Sequence, residues 1–204
     1  MKIIPDSTSF VVVLLLLELI GQSLSRPAHN PTFCTLIGSM LPHVEKLISL
    51  SEKLHELSDE DLSHLATADH RLDSLLEIQH TAAAFTSIKI NESLSQLHNY
   101  SESYRFHMEW LKAARENVSL PTQPTEGASR HLQQLTHLLN SSLSQVQDEV
   151  VQVPSSSPPS LPLVSSAFDA LRFSVEVSEK LRAFSFWTKR WIRFILKHSR
   201  CPRR

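Results

Sequence analysis

Two Glu-x-x-His patterns are the residues of this chain whose types and spacing could bind a metal: Glu52 with His55, and Glu77 with His80. This spacing places a carboxylate and an imidazole on one face of a helix, as in the di-iron sites of helical bundles. Such a site also needs inward-facing glutamates from two other helices, whereas the other amphipathic stretches here carry Leu, Tyr, Met and Val. With 11 histidines in the chain, these spacings are expected by chance. We therefore predict no metal and no cofactor.

Motifs for nucleophilic or phosphate chemistry do not occur in the sequence. It has no His-Glu-x-x-His, no Gly-x-Ser-x-Gly and no glycine-rich phosphate loop. The chain has only 3 glycines, which leaves almost no backbone suited to cradling a phosphate. We predict that the protein is not an enzyme and that it has no nucleic-acid partner.

Nearly all asparagines of this chain begin an Asn-x-Ser/Thr sequon, the pattern that accepts an N-linked glycan. The exception is Asn30, because Pro31 follows it. The predicted glycosylation sites are Asn91, Asn99, Asn117 and Asn140.

The amino-terminal segment has the three parts of a secretory signal peptide. Lys2 provides the positive charge, Phe10 to Leu17 is an unbroken apolar run, and Ser23 and Ser25 are small residues before a cleavage site at Arg26. A membrane anchor would need about 20 apolar residues, and this run is roughly half that. We predict a signal peptide over residues 1–25, a mature domain over residues 26–204, and a secreted, extracellular protein without membrane insertion.

The two cysteines, Cys34 and Cys201, lie near opposite ends of the mature chain. In an oxidising compartment a lone pair indicates one disulfide. Two cysteines cannot replace a hydrophobic core, so apolar packing must stabilise the domain.

Four stretches have apolar residues at helical spacing. Pro42 interrupts the first, so that helix is expected to begin or kink there, and Asn91 is a candidate N-cap of the second. The stripes are Leu36/Ile37, Met40/Leu41, Val44, Leu47/Ile48 and Leu54; Leu94, Leu97, Ser101, Tyr104, Met108 and Leu111; Leu132, Leu135, Leu139, Leu143, Val146, Val150 and Val153; and Leu171, Val175, Leu181, Phe184, Trp191 and Ile195.

The connections between these stretches determine the topology. The proline-rich linker from Pro154 to Ser165 can reach roughly 37 Å when extended, which is about the length of the preceding helix. The stretch from Ser58 to Ile90 is longer still, whereas Val118 to Gly127 suits a short antiparallel turn. We predict an all-α, long-chain four-helix bundle, up-up-down-down, with two long crossover loops. In that arrangement Cys34 and Cys201 lie at the same end of the bundle.

The fourth stretch is basic, because the segment from Phe168 onward has ten basic residues and three acidic ones. This surface could meet a receptor, or an anionic membrane or glycosaminoglycan. The residues expected on its outer, non-core side are Phe173, Phe186, Trp187, Arg190, Arg193 and Phe194. Because Trp and Arg anchor many interfaces, we favour a protein interface.

Several short motifs, in this order and spacing, resemble the interleukin-11 family within the interleukin-6 group of four-helix cytokines. The resemblance spans roughly residues 36–197, and the proline-rich linker is part of it. The motifs are His70-Arg71-Leu72-Asp73-Ser74-Leu75; Tyr104-x-x-His107-x-x-Trp110-Leu111; and Ser165-Ser166-Ala167-Phe168-x-x-Leu171-Arg172 with Leu181, Trp187 and Arg190.

The resemblance implies a secreted cytokine, monomeric before receptor assembly, that binds an interleukin-11-type alpha receptor. It would then recruit the shared receptor glycoprotein 130 and activate JAK/STAT signalling. The alpha-receptor surface would include Trp187 and Arg190, with Arg193 on the same helix and His80 in the long loop; Phe168 would contact glycoprotein 130 at the tip. A further surface on the first and third helices has no distinct motif here. The alternative is a secreted amphipathic-helix protein that binds lipid or glycosaminoglycan surfaces.

Overall fold

The computed structural model describes residues 31–55, 57–58, 60, 62, 72–76, 78, 89–146, 160–199 and 201. The predicted signal peptide and His80 lie outside these residues. The described part of the chain forms four α-helices and no strand. Their bounds are α1 Pro31–Ser51, α2 Ile90–Asn117, α3 Gln123–Leu143 and α4 Ala167–His198.

Three helix ends differ from those expected. Helix α1 begins at Pro31 and continues through Pro42, because the proline lies at an exposed position where the lost hydrogen bond is tolerated. Asn91 is not the N-cap of α2: Lys89 holds that position, and Asn91 lies in the first turn, where its side chain accepts a hydrogen bond from the Glu92 N–H.

Helix α3 ends at Leu143, earlier than the stripe suggested. After Leu143 the chain passes into a turn in which the Gln145 N–H donates to Ser142 O and the Val146 N–H donates to Leu143 O, an i→i−3 pattern. The segment is rich in serine, which has a low helix propensity. Val146 follows in a turn and is half-buried. The remaining stripe residues, Val150 and Val153, lie outside the described residues.

Contacts between α3 and the first two helices show that it runs antiparallel to both. Gly127, near its start, lies against Leu50 at the end of α1, since a Cβ at Gly127 would be 3.3 Å from Leu50 Cδ1. On the other side, Lys112 near the end of α2 forms an ion pair with Glu126 at 3.1 Å. Helices α1 and α2 are therefore parallel to each other.

Helix α4 is also antiparallel to α1 and α2. The Ser178 hydroxyl donates to Ser51 O at the end of α1, while Lys189 pairs with Glu45 one and a half turns before that end. The up-up-down-down bundle with two long crossovers is confirmed, with α3 and α4 each packed against α1 and α2. None of the described helices is long and apolar enough to cross a membrane.

The four apolar stripes form one core. The predicted stripe of α2 is buried in full, and those of α1 and α3 are buried at their central positions. The stripe of α4 is displaced in its first half: Leu171 and Val175 are half-buried, and Ala170, Phe173, Ser174 and Val177 face the core instead. Because small Ala and Ser residues alternate with large ones there, apolar residue type alone did not reveal the buried face.

Arg115 is a buried cation that joins four parts of the chain. It is 2% exposed on α2, and its guanidinium donates to Leu54 O (2.6 Å) beyond α1, to Pro121 O (2.7 Å) in the α2–α3 turn, and to Ser174 Oγ (2.8 Å) on α4. The turn itself reverses at Ser119, which has φ 59°. Arg115 therefore supplies a donor to the buried Leu54 carbonyl and a second one to the partly buried Pro121 carbonyl.

The predicted disulfide closes the opposite end of the bundle. Cys34 in the first turn of α1 is bonded to Cys201, just beyond α4, and 167 residues separate them in sequence. The antiparallel packing of α1 and α4 brings the two cysteines together, and a closure of this length lowers the entropy of the unfolded chain.

We expect Arg115→Met to lower the free energy of unfolding by about 3 kcal/mol, because it leaves the buried Leu54 carbonyl and Ser174 hydroxyl without their charged donor. The matched control is Arg105→Met on the same helix. Arg105 is one-third exposed and pairs with Glu102 and Glu109, so its loss should cost less than about 1 kcal/mol. Urea unfolding followed by circular dichroism measures both, and similar small losses would contradict the role of Arg115.

Candidate functional site

The amino-terminal tip of α4 presents an aromatic side chain on a capped helix. The Ser166 side chain accepts from the Asp169 N–H at 3.1 Å, and its hydroxyl lies 2.7 Å from the Asp169 carboxylate. This hydrogen bond from Ser166 is the main reason why the pKa of Asp169 is lowered. Because the cap fixes the first turn, Phe168 is held outward, with 57% of its surface exposed.

The last three turns of α4 carry an exposed basic edge. Arg190, Arg193 and Lys197 recur at helical spacing and are all exposed. Phe186 precedes them by one turn, is 44% exposed, and lies 5.7 Å from the guanidinium carbon of Arg182. The structure thus brings Arg190 and Arg193 onto one face, as the sequence predicted.

Trp187 does not lie on this outer face. It is only 7% exposed and belongs to the core, and Phe173 is 3% exposed, so the expectation that both face outward is wrong. Phe194 is half-buried against the core. The reason is that the buried face of α4 is wide, because this helix packs against both α1 and α2. It therefore includes Trp187, three residues after Phe184.

A clamp that the sequence did not reveal fixes part of the first crossover against α4. Both carboxylate oxygens of Glu176 accept from the Leu72 N–H, at 2.9 and 3.0 Å. Lys180 lies 2.9 Å from Glu176 and donates to Leu72 O at 3.3 Å. The side chains of Leu72 and Leu75 are buried in the core. The Glu176–Lys180 pair was visible as an i,i+4 spacing, but its backbone partner was not.

His107 completes this attachment from α2. Its side chain is fully buried, with Nδ1 2.7 Å from Ser103 O and Nε2 3.0 Å from Ser74 Oγ in the crossover. The Tyr104 hydroxyl, one turn earlier, lies 3.2 Å from Leu76 O. Residues 72–76 are therefore held by α2 and α4 together, and His80 follows them a few residues later in the sequence.

The four predicted glycosylation residues are all exposed. Asn91, Asn99 and Asn117 lie on α2, and Asn140 lies on α3. No sequon lies on α1 or α4 among the described residues.

No group of three or more metal-binding side chains occurs within the described ranges. Glu52 is exposed and pairs with Arg182 at 3.4 Å, while His55 Nδ1 accepts from the Leu57 N–H. Glu77 and His80 lie outside the described residues.

The all-α bundle with paired parallel helices and two long crossovers has the architecture of a long-chain helical cytokine. A family model described as Interleukin 11 matches residues 27–200. The chain therefore belongs to the interleukin 11 family, and it is a cytokine, a kind of protein that is not an enzyme. The resemblance found in the sequence is confirmed. No curated protein sequence and no solved structure matches the chain significantly.

Acid should destabilise the bundle through three histidines. Burial is the main cause that lowers the pKa of His55, His107 and His131 from the ordinary 6.5. The pKa of His131 is lowered further by the charges of His43, Lys46 and Arg130. The native state therefore takes up these protons less readily than the unfolded chain, so the stability present above pH 6.5 is lost as the pH falls toward the folded pKa values.

We expect the urea concentration at the unfolding midpoint to decrease as the pH is lowered from 7.5 to 5. This pH range lies above the range in which carboxylates titrate. His107→Gln should reduce the size of this fall, since one of the three groups is removed. An unchanged fall in the variant would show that His107 does not contribute.

Proposed function

We propose that the chain is a secreted cytokine that binds an interleukin-11-type alpha receptor, recruits glycoprotein 130 and activates JAK/STAT signalling. The observation that carries this proposal is the placement of two exposed surfaces at opposite ends of α4. Twenty-two residues separate Phe168 from Arg190, which corresponds to about 33 Å along a helix. At that distance two receptor chains can bind at the same time without overlapping.

The alpha-receptor surface is proposed around Arg190 and Arg193 near the carboxyl end of α4. A guanidinium there can form two parallel bonds to a receptor carboxylate. Trp187, packed beneath these residues, takes a supporting role: it fixes the helix face instead of covering the contact from water. His80 remains a proposed member of this surface, supported by the hydrogen bonds that attach Leu72, eight residues earlier, to Glu176 and Lys180 of α4.

The glycoprotein 130 contact is proposed at Phe168. A large aromatic side chain that is more than half exposed on a rigid, capped helix end is suited to fill a partner's pocket at a low entropic cost.

Secretion and glycosylation are part of the same proposal. Residues 1–25 would be removed as a signal peptide, leaving residues 26–204 as the monomeric cytokine. The exposure of Asn91, Asn99, Asn117 and Asn140 supports their modification. The lipid-surface alternative is not favoured, because the apolar faces of the four helices are buried against one another.

Arg190→Glu should weaken alpha-receptor binding about 30-fold or more, since a charge reversal at an interface anchor removes at least about 2 kcal/mol. Arg182→Glu, two turns earlier on the same helix, is the matched control and should bind normally. Surface plasmon resonance on the immobilised receptor ectodomain measures both, with circular dichroism to verify the fold. Equal affinities for wild type and Arg190→Glu would refute this surface.

Phe168→Ala should retain alpha-receptor affinity and lose signalling, because the aromatic anchor for glycoprotein 130 is removed. Leu163→Ala is the control, since Leu163 is an exposed apolar residue shortly before α4, at 91% exposure. A STAT-reporter assay in cells with both receptors gives the readout. Normal reporter output from Phe168→Ala would exclude Phe168 from the signalling contact.

A further inference from the structure

The basic edge of α4, defined as Arg190, Arg193 and Lys197, is a linear array of positive charge. These residues are spaced i, i+3 and i+7, so they span about 10 Å along one face of the helix. No Asp or Glu follows Glu179 in the sequence. The edge therefore has no acidic neighbour on its own helix.

The other cations of this helix are largely neutralised by neighbouring carboxylates. Lys180 pairs with Glu176 at 2.9 Å. Lys189 pairs with Glu45 of α1, and Arg182 pairs with Glu52, just after α1. Among the described residues, neither Arg193 nor Lys197 has a carboxylate within ion-pair distance. The charge of Arg193 also acts on Glu45 of α1 and helps to lower the pKa of that carboxyl, but Glu45 forms its ion pair with Lys189. The charges of Arg193 and Lys197 therefore remain available to an external anion.

A groove lies directly beside this edge, between the first turns of α1 and the last turns of α4. Thr35, Ser39 and Pro42 form one wall, Arg193 and Lys197 belong to the other, and the Cys34–Cys201 disulfide closes one end. No acidic residue from the described part of the chain lines it. At Gly38 a Cβ would meet nothing within 4 Å, so the groove is open along this side of α1.

We propose that the basic edge and its groove bind a sulfated polysaccharide chain. The linear array of cations complements a polymer with regularly spaced sulfates. A membrane surface fits less well, because an interfacial helix must insert a continuous apolar face and that of α4 is buried in the bundle. The sequons lie on α2 and α3, so glycans attached there would leave the α1–α4 side uncovered.

This binding shares Arg190 and Arg193 with the proposed alpha-receptor surface, but it is measured on a polysaccharide without any receptor, so either proposal can fail without the other. It would hold the secreted cytokine near cell surfaces and matrix. Because Arg190 and Arg193 belong to both surfaces, bound polysaccharide would also compete with the alpha receptor.

The test measures binding of the full glycosylated chain to immobilised heparin at several NaCl concentrations. Binding to a linear polyanion releases counterions, so each cation that is removed should reduce the slope of log K against log salt by just under one. The double variant Arg193→Gln/Lys197→Gln should lose nearly two in slope and roughly tenfold or more in affinity near physiological salt. The control Lys46→Gln/Lys53→Gln removes the same charge from exposed sites outside α4 and should leave both values unchanged.

Three outcomes would overturn the proposal. The first is an unchanged slope in the Arg193/Lys197 double variant with a wild-type urea midpoint. The second is equal binding of desulfated heparin, which would exclude sulfate recognition. The third is stronger binding to vesicles of anionic phospholipid than to heparin, with the same dependence on Arg193 and Lys197, which would assign the edge to membranes. Loss of heparin binding only in the Arg193/Lys197 double variant, with a wild-type urea midpoint and normal binding of heparin by the Lys46/Lys53 control, would support it.

Discussion

The hydrogen bonds of Arg115 fix the end of the bundle at which α1 ends, α2 turns into α3, and α4 begins. One side chain connects Leu54 O, Pro121 O and Ser174 Oγ, so these segments cannot separate without exposing or orphaning buried polar groups. The disulfide fixes the other end. Helix α4 spans the distance between these two restraints. The spacing of its exposed residues along the axis is set by α4 itself, whereas their position relative to the other three helices is a property of the whole bundle.

Periodicity in the sequence was sufficient to find all four helices and their order, because long amphipathic helices carry a redundant signal. It failed where local chemistry outweighs apolar spacing. Helix α3 passes after Leu143 into a turn with i→i−3 backbone bonds, in a serine-rich segment of low helix propensity. Trp187 was expected outside because it is not part of the single apolar stripe that contains Phe184 and Trp191, whereas a helix packed against two partners buries a band wider than one stripe.

The candidate surfaces were only partly predictable, for a different physical reason. Exposed cations and a capped aromatic can be read from residue type and spacing, as Arg190, Arg193 and Phe168 show. The attachment of the first crossover to α4 cannot be predicted in this way. Glu176 binds the backbone N–H of Leu72, and a backbone donor has no sequence signature. The same holds for His107, whose partners are a serine hydroxyl and a carbonyl.

The bond between Cys34 and Cys201 makes the described domain almost a covalent ring, with both chain ends leaving from one place. A single proteolytic cut anywhere between the two cysteines would open this ring without releasing a fragment. The two pieces would stay joined and, where the cut falls in a crossover, the four helices could keep their packing. An extracellular protease would then produce a nicked cytokine with an unchanged mass but for one water, and separation of its halves would require reduction as well as cleavage.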